Sequence, residues 1–301
     1  MIQKEGIEAV LGDLDDSLYP TGDLVKSIAS FADSRTGEST NGSASSALQY
    51  LNDFFSALSQ LALYCRIANA GHLPPFAGCS GREERFCVGI ATVLQIGGNF
   101  PWIVEGGNKL VIPSTNEAFF NPRLSAEEIQ LFQRMTSARI AELMVRYPDI
   151  DRYRGNEINV ALELRKNSTI TLEELARIVR KEFQDAIRDK FLEVTQSGNA
   201  VDLFPRDINK HTGLTHLCEL TGIRPERTLA IGDSQGDIAI LRMVGFAGCP
   251  ANASEVCKAL VQERGDRGYI SPYPYAQGVI DIMTHFLKLD WATLALEANL
   301  V

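Results

Sequence analysis

Three acids crowd into four positions of VLGDLDDSLYP, where Asp13, Asp15 and Asp16 follow an apolar run at residues 7–12. Two carboxylates held roughly 5 Å apart at an effective dielectric of about 20 repel by on the order of 3 kcal/mol, so an ordered chain must leave them in water or neutralise them. A second pair, Asp233 and Asp237, sits four residues apart where the apolar run of RTLAIGDSQGD gives out. If both runs are strands of one open parallel sheet, their carboxyl ends share the edge at which ligands bind. Asp13, Asp15, Ser80 of CSGR, Asp233 and Asp237 then converge there, and the acids form part of a cation site.

The elements needed to position these residues are legible along the chain. Short apolar runs ending in polar loops alternate with helical patterns, which predicts a mostly parallel sheet wrapped by helices. IEAVLG (7–12) is a first buried strand. Apolar positions Leu48, Leu51, Phe54, Phe55, Leu58 and Leu61 recur at helical spacing, and PFAGCS (75–80) is a short strand. A helix is expected around 82–95, and GGN separates WIVE from KLVIP as a hairpin turn. Ser125 and Glu128 form a capping signature ahead of a long amphipathic helix over 124–147. EINVALEL, TLEELARIVRKEFQDAIRD and KFLEVTQ then give strand, helix, strand. Residues 114–200 are expected to form a smaller α/β unit inserted into a core made of 1–113 and 201–301. The polar, Gly- and Ser-rich stretch 33–46 is an exposed loop or insertion.

Composition narrows the function classes. With 301 residues, 45% hydrophobic and 22% charged, the chain can bury a large core. A net charge of −9 argues against nonspecific attraction to nucleic acid or an anionic membrane, and leaves small phosphorylated molecules as partners. No apolar run of about 18 residues and no secretory leader stands out, so the cytoplasm is the expected location. Cys65, Cys79, Cys87, Cys218, Cys249 and Cys257 are scattered without a CxxC pair, as buried free thiols are. His72, His211, His216 and His285 lack ligand spacing and are read as surface or loop residues.

Four of these stretches resemble the haloacid dehalogenase superfamily. DLDDSL resembles its first motif, DxDx(T/V); CSGR its second; Lys210 in DINKHTGL its third; and GDSQGD its fourth, with Asp233 23 positions after Lys210. The insert resembles the larger cap of the sugar-phosphatase branch, the Cof-like, sucrose-phosphate and mannosylphosphoglycerate phosphatases. The resemblance implies a Rossmann-like three-layer core with a parallel sheet plus an inserted α/β cap, and a magnesium-dependent phosphomonoester hydrolase acting on a phosphorylated sugar or sugar acid. It implies that Asp13 attacks phosphorus, that Asp15 serves as acid and base, and that Lys210 and Ser80 hold the phosphoryl oxygens. The metal set that the resemblance implies is Asp13, Asp15 through its carbonyl, Asp233 and Asp237, the last expected to orient Lys210 or a metal-bound water. Arg82 and Asn252 of GCPANA are expected at the substrate. Asp16, Ser17 and Gly236 stand where the family often has Gly, Thr and Asn.

Other readings stay open at this point. Asp13 and Asp15 suit an Asx turn, Ser80 and Gly81 a plain turn, and Asp233 and Asp237 a helix cap. Lys210 suits a solvated surface and Arg82 a structural ion pair. A phosphomutase shares the nucleophile and acid; a phospho-acceptor signalling domain also gathers acids and a lysine; a sugar-nucleotide glycosyltransferase uses DxD. Neither of the last two accounts for Lys210 together with GDSQGD. The oligomeric state has no sequence signal.

Overall fold

The computed structural model describes residues 6–20, 44–196 and 200–297, so most of the stretch at 33–46 lies outside the described residues. The first apolar run forms Ala9–Gly12 (β1). Ala44–Asn69 (α1), Phe76–Gly78 (β2) and Glu84–Val93 (α2) follow, then Trp102–Val104 (β3), Lys109–Ile112 (β4) and Glu117–Phe120 (β5). The middle of the chain gives Ala126–Arg146 (α3), Ile150–Arg152 (β6), Val160–Leu164 (β7), Leu172–Glu182 (α4), Gln184–Arg188 (α5), Leu192–Gln196 (β8) and Ala200–Pro205 (β9). The last third supplies Lys210–Thr221 (α6), Thr228–Ile231 (β10), Ile238–Met243 (α7), Phe246–Cys249 (β11), Glu255–Glu263 (α8), Gly268–Ile270 (β12), Tyr275–Leu287 (α9) and Trp291–Glu297 (α10).

Five strands form the parallel sheet, in the order β12-β11-β10-β1-β2. Strands buried on both faces show no polar alternation, which is why AVLG and TLAI are entirely apolar or small and fully buried. One group of helices, α1, α9 and α10, packs together, and α6, α7 and α8 form another. Strand order reverses at β1: the chain leaves it for β2 on one side and returns to β10 on the other. That reversal opens the crevice in which such sheets bind ligands.

The hairpin read from WIVE and KLVIP is present as β3 and β4, and β5, unforeseen in the sequence, extends it to an antiparallel three-stranded sheet. A further antiparallel sheet, β6-β7-β9-β8, has α3, α4 and α5 beside it and its own core of Phe132, Leu143, Leu162, Leu175, Phe183 and Leu203, among others. β9 runs between β7 and β8 through Pro205. This arrangement is the expected Rossmann-like core with an α/β unit inserted in it. The capping box predicted at Ser125 and Glu128 closes α3, and Thr171 with Glu174 repeats it on α4.

All six cysteines are free, five of them buried, as their apolar settings predict. His72 and His211 are exposed, whereas His216 and His285 are half-buried on α6 and α9 rather than in loops. Among the described residues no helix is long and apolar enough to cross a membrane.

Candidate active site

Backbone pairing that outlasts the strands brings the acids together. Past the end of β1, the Asp13 N–H donates to the Ile231 carbonyl at 2.9 Å, which keeps Asp13 beside the end of β10. The next residues coil into a tight turn: the N–H groups of Leu18 and Tyr19 both donate to the Leu14 carbonyl, and Asp16 takes a left-handed φ of 57°. Aspartate tolerates that conformation better than most side chains. Leu14 and Leu18 are buried and anchor the turn, so Ser17 faces inward and its hydroxyl donates to Asp233 Oδ1 at 2.8 Å.

Lys210 arrives from the far side of the chain at the start of α6, behind an Asn209 cap that pairs with Thr212. Its ammonium donates to Asp13 Oδ1 and Asp237 Oδ1, both at 2.6 Å, and all three side chains are buried. Two glycines set its depth. A Cβ on Gly107 would lie 2.1 Å from the Asn209 carbonyl oxygen, and one on Gly213 would lie 2.8 Å from Gly107 Cα, so α6 docks directly on the loop after β3. Asp237 is fixed on its other oxygen too, where Oδ2 accepts from the amides of Asp233 and Ser234 and from the Ser234 hydroxyl at 3.0–3.1 Å.

Ser80 follows β2 by two residues and is fully buried. Its hydroxyl lies 3.5 Å from Asp15 Oδ2 and accepts the Arg82 N–H at 3.0 Å. Arg82 places Nε 3.1 Å from both Asp15 oxygens, and its guanidinium lies 5.5 Å from the ring centres of Phe86 and Tyr153. Asn252 is taken up by main chain at both ends of its amide: Nδ2 donates to the Asp16 carbonyl at 2.6 Å, and Oδ1 accepts from the Tyr275 N–H at 3.0 Å. It holds the Asp16 turn from behind.

Oxygens of Asp13, Asp233 and Asp237 lie within 4.8 Å of one another. Burial, and then the Asp237 charge, push the Asp13 carboxyl well above the usual range against the pull of Lys210. Burial, and then Asp237 again, raise Asp233 to about 7 against Ser17 and Lys210. For Lys210 burial acts downward, but Asp13 and Asp237 outweigh it and hold the ammonium charged. Three carboxylates against one ammonium leave two negative charges to neutralise when all are ionised, on hard oxygen donors of the kind a divalent cation such as magnesium prefers. The residues therefore fit such an ion. Burial pushes the neighbouring Cys79 thiol up to about 12, so it offers no thiolate to compete as nucleophile.

The cluster thus has two hydrogen-bonded parts at the carboxyl ends of the strands, Asp13, Lys210, Asp233 and Asp237 in one and Asp15, Ser80 and Arg82 in the other, with Asn252 behind the Asp16 turn. Tyr19, whose hydroxyl lies 3.4 Å from Asp15 Oδ1, and Ser234 belong to the cluster as well and were not singled out in the sequence, and Ser17 stood out there only as a departure from the family pattern. Tyr153 also reaches it, from the inserted unit, and carried no motif. A cavity of about 480 Å³ bordered by Arg123, Phe132, Lys190 and Arg206 shares no residue with the cluster.

Comparisons with known proteins bear on the family and the fold. A phosphoglycolate phosphatase of Methanothermobacter thermautotrophicus is 30% identical over 104 residues, which span 35% of this chain and 44% of that one. One from Methanopyrus kandleri is 28% identical over 187 residues, or 62% and 73% of the two chains. The chain thus matches less than half of the length of the first of these curated relatives. Among solved structures, a Thermoplasma acidophilum protein superposes with a TM-score of 0.62 at 19% identity, over 95% of this chain and all of that one. The sucrose-phosphatase of a Synechocystis species, solved with sucrose and phosphate, gives 0.60 at 17% over 93% and 98%. At these identities the structural matches speak for the fold, core and cap together. A family model for haloacid dehalogenase-like hydrolases matches residues 79–268, most of the chain, and the protein belongs to that family.

Proposed function

We propose that the protein is a magnesium-dependent phosphomonoester hydrolase that works through an aspartyl-phosphate and acts on a small phosphorylated metabolite, a sugar phosphate or a phosphorylated sugar acid. The observation that carries this reading is the bridge of Lys210 between Asp13 and Asp237, with Asp233 alongside. Lys210, Asp233 and Asp237, all far from Asp13 in sequence, converge on that one buried carboxylate and set a fixed cation at its flank. The names of the relatives, phosphoglycolate phosphatases, favour the acid end of the substrate range.

In this reading Asp13 attacks phosphorus and the ester P–O bond breaks as the new P–O bond forms. Asp15 gives a proton to the departing alcohol, then takes one from the water that hydrolyses the acyl phosphate. Lys210 and Ser80 stabilise the charge on the transferring oxygens from positions set before substrate arrives. Asp237 orients Lys210, and Arg82 turns from Asp15 toward a substrate anion. Asp13, the Asp15 carbonyl and Asp233 would hold magnesium, which would supply positive charge to offset the repulsion between carboxylate and phosphate. The inserted unit built on the β6-β7-β9-β8 sheet serves as the cap that excludes bulk water and selects substrate.

The test is phosphate release from a panel that includes phosphoglycolate, hexose phosphates and sucrose phosphate, with magnesium or with EDTA. Wild type should release phosphate only with the metal, and Asp13→Asn should release none. Release that survives either change overturns the reading.

A further inference from the structure

The mechanism leaves one buried acid without a task. Glu105, just past β3, is 1% exposed and takes a left-handed φ of 47°, a conformation that costs a non-glycine residue energy. Its carboxylate reaches across to the inserted unit: Oε1 accepts from the Glu157 N–H at 2.9 Å and Oε2 from the Ile158 N–H at 2.8 Å. Two consecutive amides gripped by one ionised group is a strong, directional contact. Lys109, buried on β4, adds ion pairs to Glu84 at 3.2 Å and to Glu157. The Glu157 carbonyl in turn accepts from Gln133 Nε2 at 2.8 Å, so both main-chain polar groups of Glu157 are held.

Both sides of this seam lead to the active site. On the cap side, the same segment carries Tyr153, whose ring faces the Arg82 guanidinium, and Gly155, where a Cβ would lie 2.5 Å from Glu83 Cγ. Arg82 in turn holds Asp15. On the core side, Gly106 and Gly107 follow directly, and Gly107 abuts the first turn of α6, where Lys210 begins. The Glu105 N–H itself donates to the Arg82 carbonyl at 2.8 Å, and the Gly106 N–H to the Ser80 carbonyl at 3.0 Å. One residue is therefore tied to the loop of Ser80 and Arg82, to the cap, and to the docking face of the lysine helix.

We propose that Glu105 is a positioning residue for the phosphatase reaction: its carboxylate seats the 153–158 segment of the cap over the site while its loop sets the register of Lys210. This rests on the hydrolase reading above, and it goes beyond that reading by assigning to a residue outside the four motifs the coupling of cap closure to the catalytic groups. Glu105→Gln is the informative change, because it keeps the shape but turns one acceptor into a donor facing a donor.

The test pairs amide hydrogen exchange with kinetics on the full chain. In Glu105→Gln the amides of Glu157 and Ile158 should exchange roughly 10- to 100-fold faster, the scale of one hydrogen bond to a charged group, while α4 keeps its protection. KM should rise together with a fall in kcat. A purely structural role would leave KM unchanged and lower kcat only with the folded fraction. Unchanged protection at 157 and 158, or an unchanged KM, overturns the proposal. If the glutamine variant does not fold, Lys109→Met loosens the same seam from the other strand and should speed the same two amides; no change there overturns the proposal equally. Wild type that releases no phosphate would remove the hydrolase reading, while the exchange result still decides whether Glu105 holds the segment.

Discussion

Asp237→Asn separates an aspartate that binds metal from one that orients a lysine. Asparagine keeps the outline of the side chain and one acceptor, but places an NH₂ on the other arm. Oδ1 of Asp237 meets Lys210, and Oδ2 meets two amides and a hydroxyl. Whichever way the new amide turns, a donor faces a donor. The milder orientation keeps the three loop contacts and gives up the one to Lys210, a charged hydrogen bond of about 1.5–3 kcal/mol. If that loss passes fully to the transition state, kcat falls roughly 10- to 150-fold. An opposing effect exists, since the Asp237 charge helps push Asp13 above the usual range and its removal makes Asp13 easier to ionise. The comparison is therefore made over a range of pH, where easier ionisation of Asp13 shows as a shifted profile and the Lys210 effect as a lower plateau. Steady-state kinetics across a magnesium titration should show the drop in kcat with half-saturation unchanged. A kcat within threefold of wild type, or a loss cured by more magnesium, would refute the reasoning.

Other outcomes follow from the same contacts. Lys210→Met leaves buried Asp13 and Asp237 without their cation and should cost about 3–5 kcal/mol in urea unfolding with EDTA present; an unchanged midpoint counts against the buried bridge. Gly213→Ala puts a methyl 2.7 Å from Ile103 Cγ2 and 2.8 Å from Gly107 Cα, and overpacking of this kind costs about 1–3 kcal/mol. Its thermal midpoint should drop along with kcat, and normal values for both would mean α6 docks less tightly than described. Burial lowers the pKa of half-buried His216, so the folded state binds its proton less readily than the unfolded state does. Its contribution is complete above about 6.5, the ordinary histidine value, and is lost as pH falls below it. Unfolding followed from pH 7.5 to 5.5 should show this slope, and a His216→Gln variant with the same slope would assign it elsewhere.

The acidic cluster was legible because each of its parts marks a boundary that burial forces into the sequence. A strand covered on both faces must be apolar, so Asp13, Ser80 and Asp233 stand out at the ends of such runs. Lys210 was harder to place, since nothing in INKHTG says that its side chain is buried; of the two glycines that let α6 approach, Gly213 ends that stretch but its counterpart Gly107 lies over a hundred residues away. Asn252 shows the opposite failure. Its position after β11 matched the family pattern, yet both ends of its amide are occupied by main chain, a matter of turn geometry that residue type alone does not encode.

What the sequence could not reveal was the seam between core and cap. β5 is short and largely exposed, and β9 looks like the resumption of the core until its partners β7 and β8 are seen. Glu105 is the sharpest case: as the last letter of WIVE it resembles a strand fading into solvent, while its two hydrogen-bond donors lie 52 and 53 positions downstream. Patterning reports which face of an element is dry, but it is silent on which buried charge faces which amide. A carboxylate that is 1% exposed and left-handed costs the fold energy in both respects, and its contacts run toward the site rather than through the core. Strain retained at such a position is better explained by what it positions than by stability, because an apolar residue at 105 would avoid the desolvation cost and would let the cap segment go.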